Sequence, residues 1–345
     1  MRILVGLSGG FDSTYCAHLL MREGHTVEGA VLDMHEYTEH AEARAAADSL
    51  GIPLHIISCR DIFEDRVIAD FCREYINART PNPCIICNER VKFRVLYDYA
   101  VAKGFDKIAT GHYAKIIENN GKLSVGVAED KSKDQSYMLY RLPQEILAHL
   151  MLPMGNIIKK EAKNAASADG FFSAERPESQ EICFVKNESY ADFLTRRCGK
   201  PLCGDFVDIE GNVLGTHKGV THYTVGQRKG LGISGRSRLF IQSIDAVTGK
   251  IVLSDRMPNV KCFTIKDVVY SGCSKEELMN ATELYVRVRY SAPMTRVSVW
   301  EKGGELFVEL NGKNTCAITP GQSAVFYEEN RIMCGGIIQN TITYQ

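Results

Sequence analysis

The chain has 345 residues, of which 45% are hydrophobic and 24% charged, and its formal net charge is -1. This length suits two or three domain cores, and the balanced charge excludes a global field that would attract nucleic acid. No run approaches the roughly 18 apolar residues of a membrane span, and no signal-peptide pattern opens the chain. We therefore expect a cytoplasmic protein with no membrane segment, whose 12 cysteines are mostly reduced.

Up to about residue 200, strand-like and helix-like segments alternate. The predicted strands are 3–7, 27–32, 54–58 and 107–110, and the predicted helices are 12–22, 40–50, 62–77 and 90–103. This alternation predicts an α/β domain, residues 1–200, with a parallel sheet covered by helices on both faces. Ligands of such sheets bind beyond the carboxyl ends of the strands, where SGGFDS, Leu32-Asp33 and Gly111-His112 stand.

Beyond residue 200 the helical signal fades. Short alternating runs such as LYVRVRYS and RVSVWEKGGELFVEL are separated by Gly and Asn, which is typical of small antiparallel barrels. We expect a middle β domain at 201–262 and a C-terminal β-barrel at 263–345, with Trp300 in the core of the barrel.

The segment GLSGGFDS after the first strand fits neither a dinucleotide fingerprint nor a Walker A motif. Gly9 and Gly10 let the backbone approach a phosphate, and the next helix offers free N–H groups. Ser8 and Ser13 add hydroxyl donors, while Asp12 begins the helix and either caps it or helps to place Mg²⁺. A nucleoside triphosphate is the expected ligand. The alternative is a tight strand-to-helix turn without a ligand.

A second segment, ARTPNPCIICNERVKF (78–93), combines two prolines with two cysteines. The prolines make the chain around Asn82 extended and stiff, and Asn88 is expected to cap a helix from about Glu89. Cys84 and Cys87 have C-x-x-C spacing, which fits a redox pair, half of a zinc site, two iron–sulfur ligands or two incidental buried thiols.

A thiol at that helix start, beside Arg90 and Lys92, should have a lowered pKa and be reactive. No second C-x-x-C completes a zinc site.

These segments carry a resemblance to a known family. SGGFDS resembles the PP-loop of the ATP pyrophosphatases, and 78–93 resembles the T-P-N-P-[DC]-x-x-C-N-x-x-[IV]-K-F motif of the bacterial tRNA-specific 2-thiouridylases. Six further stretches are similar to that family in the same order. They are IATGHYAK, KDQSYMLYRL, ESQEICFV, HKGVTHYTVGQRKGLGI and the barrel pair VRVRYSAP and PGQSAVFY.

The resemblance implies ATP-dependent adenylation of the carbon-2 oxygen of a wobble uridine in tRNA, followed by sulfur transfer to give 2-thiouridine, AMP and pyrophosphate. It implies ATP, Mg²⁺ and a persulfide donor, which is a cysteine desulfurase or a sulfur relay protein. It also implies a PP-loop domain, a middle β domain and a six-stranded C-terminal barrel.

The resemblance assigns roles to individual residues. Cys183 is the persulfide carrier and Cys87 closes a disulfide with it. ATP contacts fall on Gly6, Leu7, Ser8, Gly9, Gly10, Phe11, Asp12, Ser13, Leu32 and Gly111. Target-base and tRNA contacts fall on Asn82, Pro83, Cys84, His112, Lys133, Asp134, Gln135, Arg289, Tyr290 and Gln322.

A basic stripe between Leu214 and Phe240 suits the tRNA backbone, because it contains Lys and Arg and no acid. Its members are Lys218, Arg228, Lys229, Arg236 and Arg238, and we read His217 and His222 beside it as surface polar residues. The alternative is a solvated β face with acids nearby in space.

Many members of the family carry Asp where Cys84 stands, so Cys84 puts the proton-transfer role at the target base in question. Alternatively, Cys84, Cys87 and Cys183 ligate one iron–sulfur cluster that carries an activated sulfide. Two other functions remain open. One is another PP-loop tRNA enzyme, such as a 2-thiocytidine or lysidine synthetase, and the other is a non-catalytic tRNA-binding module.

Overall fold

The structure is a computed structural model that describes residues 1–38, 40–168, 182–233, 238–312 and 316–342. In its first 200 residues the strands are β1 (Arg2–Gly6), β2 (Thr26–Asp33), β3 (Leu54–Ser58), β4 (Lys107–Thr110), β5 (Lys115–Asn119), β6 (Lys122–Gly126) and β7 (Leu150–Met151). The helices are α1 (Phe11–Arg22), α2 (His40–Leu50), α3 (Arg60–Phe63), α4 (Ala69–Ile76), α5 (Pro83–Cys87), α6 (Phe93–Ala102), α7 (Gln144–His149), α8 (Lys159–Ala168) and α9 (Tyr190–Cys198).

A parallel sheet forms the centre of this region. Its order is β3-β2-β1-β4-β7, and the register pairs Gly6 with Ala30 on one side and with Thr110 on the other. The α/β prediction is therefore confirmed. Because parallel strands end at the same edge, the loops after β1, β2 and β4 meet there.

Two helix starts differ from the sequence prediction. The helix over the cysteine segment begins at Pro83, not near Glu89, and its N-cap is Asn82, whose side chain accepts from the backbone N–H of Cys84 at 3.1 Å. Proline suits the first helical turn because its missing N–H is not needed there. Asn88 instead begins a single π-helical turn, Asn88–Lys92, that joins α5 to α6.

The other difference is at α1. Its N-cap is Gly10, without a side-chain cap, so Asp12 does not cap the helix and its carboxylate is used elsewhere, as described below.

Residues beyond 200 form two β structures. The first is a four-stranded sheet of β8 (Gly204–Val207), β9 (Val213–His217), β10 (Phe240–Ile244) and β11 (Ile251–Ser254), in the order β10-β11-β8-β9. The second contains β12 (Cys262–Val269), α10 (Lys275–Asn280), β13 (Tyr285–Arg287), β14 (Thr295–Lys302), β15 (Glu305–Leu310), β16 (Ser323–Glu328) and β17 (Arg331–Ile342).

The second structure closes into a barrel, because β12 pairs with both β15 and β17. This confirms the barrel prediction. The placement of Trp300 in its core is wrong, since Trp300 is 36% exposed and stacks on Phe307 on the outer face. The alternation of residues along β14 predicts which side chains share a face, but it does not predict which face points into the barrel.

The first domain and the barrel share a sheet. The β5–β6 hairpin extends the barrel sheet where Gly126 pairs with Arg331. The same two parts of the chain are also joined by an ion pair of 2.8 Å between the buried carboxylate of Asp134 and Arg287 of β13. Within the described ranges, no helix is both long enough and apolar enough to span a bilayer.

Candidate active site

The loop between β1 and α1 is held by its serines. The backbone N–H of Ser8 donates to Ser13 Oγ at 3.1 Å, and Ser13 Oγ lies 3.0 Å from the carbonyl oxygen of Gly10, to which it donates. Gly9 has φ +82°, and a Cβ there would lie 2.4 Å from the backbone of Glu42. Only glycine fits this position, so the backbone passes close to α2. The N–H groups that remain for an anion are those of the first turn of α1, which have no helical partner.

The loop borders a cavity of about 930 Å³ at the carboxyl edge of the sheet. This volume is in the range of pockets that take small molecules such as a nucleotide. Residues predicted at the site that line it are Gly6, Leu7, Ser8, Asp12, Ser13, Leu32, Gly111, His112, Gln135 and Cys183. Five separate parts of the chain therefore meet around one cavity.

Other predicted residues support the loop from behind. Phe11 is buried and stacks on Tyr15 with ring centroids 5.4 Å apart, on the core side of α1. Gly111 is required because a Cβ would lie 2.5 Å from the backbone of Asp12. Gly10 serves as the N-cap of α1.

Asp12 is held by two partners that the sequence did not single out. Lys159 Nζ lies 2.8 Å from Asp12 Oδ2, and the hydroxyl of Tyr113 donates to Asp12 Oδ1 at 2.9 Å. Lys159 is 7% exposed, at the start of α8. The carboxylate beside the glycine loop is thus fixed in place and neutralised by a buried ammonium group.

Cys183 lies at the rim of the cavity. The next residue, Phe184, is buried and packs edge-on against Phe63 and Phe71, which fixes the turn. Cys183 is exposed, but the surrounding protein partly desolvates its thiol and raises the pKa to about 12. The nearby thiolates of Cys87 and Cys84 also raise the pKa of Cys183.

Cys87 is buried, and its Sγ lies 3.9 Å from Sδ of Met34, which lines the cavity. Burial raises the pKa of its thiol, while the charge and backbone N–H of Lys92 oppose the rise. The predicted lowering of the pKa is therefore wrong. The reason is that Cys87 ends the short helix α5 inside the core, and desolvation outweighs the nearby positive charge.

The structure does not fit a cluster bound by the three cysteines. Among the residues that the structure describes, which include Cys84, Cys87 and Cys183, no group of three Cys, His, Asp or Glu side chains is arranged to hold a metal ion. Cys84 is exposed while Cys87 is buried. The donor set for a dedicated magnesium cage is likewise missing from these ranges.

His112 and Gln135 also line the cavity. His112 Nδ1 lies 2.9 Å from Thr110 Oγ1, and burial together with the charge of Lys92 lowers its pKa to about 3. The imidazole is therefore neutral at physiological pH. Gln135 Oε1 accepts from the backbone N–H of Tyr113 at 2.9 Å. This hydrogen bond joins the KDQSYMLYRL stretch to the residues that follow β4.

The extended Thr80–Asn82 segment connects the cavity region to both β structures. Thr80 Oγ1 lies 3.2 Å from Thr224 Oγ1, and the amide of Gln322 donates to the carbonyl oxygen of Thr80 at 2.7 Å. Asn82 lines a separate cavity of about 170 Å³, and Pro83 is buried.

The remaining predicted tRNA residues do not form one surface. Tyr290 is 39% exposed and Lys133 is half-buried, whereas Arg289 bonds the hydroxyl of Thr319 and the carbonyl oxygen of Val225 between the two β structures. Asp134 is 4% exposed and paired with Arg287. Its burial opposes a direct tRNA contact, because the carboxylate is used to join the hairpin to the barrel.

The described members of the basic stripe, Lys218, Arg228, Lys229 and Arg238, are all exposed, and Arg236 lies outside the described residues. None of these four forms a salt bridge with a described acid. His217 is wrongly predicted as a surface residue. It is 6% exposed, its Nδ1 accepts from Gly219, and its Nε2 lies 2.6 Å from the carbonyl oxygen of Gly249.

Sequence reasoning missed Lys159, Tyr113 and Met34. Tyr113 lies in the quoted IATGHYAK stretch, so its position was available, but its partner Asp12 is 101 residues away. Nothing in the local sequence marks Lys159 or Met34, whose roles depend on tertiary packing.

A parallel sheet with a glycine loop and a nucleotide-sized cavity at its carboxyl edge, followed by a small β domain and a β-barrel, defines a HUP-type nucleotide-binding enzyme class. Residues 1–187 match the profile described as "tRNA methyl transferase HUP domain". Residues 191–255 match its "PRC-barrel domain" and 260–338 an "Aminomethyltransferase beta-barrel domain".

Two full-length relatives identify the family. The tRNA-specific 2-thiouridylase MnmA of Acetivibrio thermocellus is 38% identical over 98% of this chain and 99% of its own length. That of Clostridium acetobutylicum is 36% identical over the same shares, 98% and 99%. The chain belongs to the tRNA-specific 2-thiouridylase family.

Proposed function

We propose that this protein is a tRNA-uridine 2-sulfurtransferase that adenylates the carbon-2 oxygen of the wobble uridine and replaces it with sulfur. The observation that carries the proposal is one cavity that is lined both by the phosphate-type loop and by Cys183. A nucleotide held by the loop therefore lies within the same space as a sulfur nucleophile.

In the first step the uridine carbon-2 oxygen attacks the α-phosphorus of ATP and pyrophosphate leaves. The glycine loop brings the phosphates to the first turn of α1, whose N–H groups supply donors for the charge that develops on the departing phosphates. Magnesium would enter with the phosphates. Asp12 is a carboxylate that lines the cavity, and Lys159 already neutralises it. Magnesium bound mainly by substrate phosphates fits this arrangement.

In the second step the terminal sulfur of a Cys183 persulfide attacks carbon 2, and AMP leaves with the former carbonyl oxygen. The base is then joined to Cys183 through a disulfide. The Cys87 thiolate attacks Cys183 Sγ, which forms the Cys87–Cys183 disulfide and releases the 2-thiouridine sulfur with its electron pair. The two cysteines are oxidised, the transferred sulfur is reduced, and an external dithiol restores them.

The division of labour follows the chain. Residues 1–200 form the catalytic domain, and residues 201–262 and 263–345 bind the tRNA. The basic stripe of Lys218, Arg228, Lys229 and Arg238 contacts the phosphates of the tRNA backbone. The target base must leave its stack to reach the cavity. We assign its contacts on the protein to Asn82, Pro83 and Cys84 at the start of α5. The persulfide comes from a cysteine desulfurase or a relay protein, in the cytoplasm.

Methyl transfer, which the profile descriptions mention, is less consistent with this site. The cavity has a glycine-serine loop for phosphates and an exposed thiol at its rim, which suits adenylation and sulfur transfer.

The adenylation step is tested with ATP labelled at the α-phosphate. We expect AMP and pyrophosphate to be released in equal amounts, and only when tRNA is present. Release that is independent of tRNA, or no release with any tRNA, would reject the proposal. The same assay separates an enzyme from a tRNA-binding module with an inactive nucleotide site.

A further inference from the structure

We propose that Lys92 is a positioning residue of sulfur transfer, whose ammonium group stabilises the negative charge on the sulfur atoms of Cys87 and Cys183. The inference rests on the proposed function only in assigning these two cysteines to the reaction. The cavity, the helix geometry and the charge distribution carry it.

A π-helical turn places Lys92 in the lining of the cavity. It is the last residue of the π-helical turn Asn88–Lys92, which starts directly after Cys87. Single π-helical turns inside α-helices are frequent at functional sites. The side chain is half-buried and lines the cavity with Cys183 and His112.

The charge of Lys92 has no acidic counterpart nearby. No carboxylate in the described ranges forms a salt bridge with it. The other amine that lines the cavity is Lys186, whose Nζ lies 3.5 Å from the carbonyl oxygen of Tyr37. A half-buried cation without an anion favours an anionic group in the cavity.

Three groups on three different segments respond to this one cation. Burial raises the pKa of both Cys87 and Cys183, and Lys92 opposes the rise in each. For His112, burial lowers the pKa first and Lys92 lowers it further. Lys92 therefore favours the thiolates and the neutral imidazole.

The neighbouring Arg90 does not share this role. It lines the separate cavity with Asp70 and Asn82, and it forms an ion pair of 3.6 Å with Glu89. Arg90 is not among the groups that shift the pKa of Cys87. It is thus a matched control on the same π-helical turn.

Other titratable groups also face this space and are considered in the test. Those lining the cavity are Asp12, His35, Tyr37, Glu42, His112 and Lys186, and those beside Cys87 are Cys84, Cys59 and, next to Cys59, Asp33. Burial and the neighbouring thiols favour the neutral form of both cysteines, whereas Lys92 favours the thiolate form of both.

The chemistry of the closing step requires such a cation. Cys87 must be a thiolate when it attacks Cys183 Sγ, and the released 2-thiouridine sulfur carries the electron pair away. Negative charge therefore moves from one sulfur atom to another across the space that Lys92 faces. A fixed ammonium group stabilises both the start and the end of this transfer.

The test measures thiol ionisation and needs no tRNA, ATP or sulfur donor, so it is independent of the proposed activity. The rate of Cys183 alkylation by iodoacetamide is followed against pH by peptide mass spectrometry. The proteins compared are wild type, Lys92→Met, Lys92→Arg and the control Arg90→Met.

We expect Lys92→Met to lower the alkylation rate at about pH 8 by about three- to tenfold, because one unit of pKa is a factor of ten in thiolate. Its pH profile should move to higher pH, while Lys92→Arg and Arg90→Met stay within about twofold of wild type. An unchanged profile for Lys92→Met would overturn the proposal. Equal losses in Lys92→Met and Lys92→Arg would also overturn it, because they would indicate a packing role.

Discussion

Ser13 makes several contacts that hold the glycine loop. Its Oγ accepts from the N–H of Ser8, donates to the carbonyl oxygen of Gly10 and lies 3.1 Å from Ser8 Oγ. These contacts fix the shape of the loop that leads into α1, whose first N–H groups have no helical partner. A phosphate therefore meets donors that are already oriented, which is the basis of their effect on a developing charge.

Ser13→Ala should lower the rate of tRNA-dependent pyrophosphate release by about 100-fold, because the loop loses the contacts that preorganise the site for the departing phosphates. Binding of tRNA should change little, because the loop lies away from the basic stripe. Ser49→Ala, which removes a hydroxyl from the end of α2, is the control. Pyrophosphate release at the wild-type rate in Ser13→Ala would contradict the assignment of the loop.

Cys84 is exposed, whereas its neighbour Cys87 is packed into the core. Cys84→Ala should keep activity within about tenfold of wild type, since loss of a general acid or base costs about 100-fold or more. The Cys87–Cys183 disulfide should still be trapped after one turnover and detected by peptide mass spectrometry. Loss of activity together with bound iron in the wild-type protein would instead favour the cluster.

The residue roles were predictable only in part. The loop residues and Gly111 follow from local patterns, because glycine positions and strand ends are readable from the sequence. The raised pKa of Cys87 was not predictable. The sequence shows Lys92 and Arg90 nearby, but it does not show that burial outweighs their charge. Lys159 was missed because its partner, Asp12, is 147 residues away.

At the scale of elements, periodicity predicted the existence of helices and strands better than their ends. β3 and α2 have the predicted bounds, 54–58 and 40–50. The helix at Pro83 begins earlier than predicted because Asn82, not Asn88, provides the cap. The following π-helical turn has no pattern of its own in the sequence, yet it determines where Lys92 points.

The basic stripe is the element-scale feature with a measurable salt dependence. Arg228→Ala combined with Lys229→Ala should weaken tRNA binding and reduce the slope of log affinity against log salt by about one unit for each lost phosphate contact. The control is Arg22→Ala combined with Lys103→Ala, two exposed residues at the ends of α1 and α6 in the first domain, which should leave the slope unchanged. An unaltered slope in the stripe variant would move the docking surface elsewhere.

At the scale of the whole molecule, the β5–β6 hairpin of the first domain continues the barrel sheet. The buried Asp134–Arg287 pair fastens this junction, and Ser136 Oγ lies 3.2 Å from the hydroxyl of Tyr327 beside it. The sequence predicted separate domains but gave no sign of this shared sheet, because strand pairing across 200 residues leaves no local pattern. The junction holds the barrel in a fixed position relative to the cavity.

Asp134→Asn should lower the free energy of unfolding by about 3 kcal/mol, because removing one partner leaves a buried charge uncompensated. Glu301→Gln removes the carboxylate from an exposed pair with Lys275 of similar length, 2.7 Å, and should cost less than about 1 kcal/mol. Urea unfolding monitored by circular dichroism measures both. Equal costs for the two variants would show that the junction is not stabilised by this pair.

The central claim is sulfur transfer to the carbon-2 position of the wobble uridine. It is tested by nucleoside mass spectrometry of tRNA treated with the purified protein, ATP and a persulfide donor, and of tRNA from cells that lack the protein. We predict 2-thiouridine at the wobble position in the first sample and its absence in the second. A thiolated nucleoside of another type, or unchanged 2-thiouridine in the cells that lack the protein, would contradict the account.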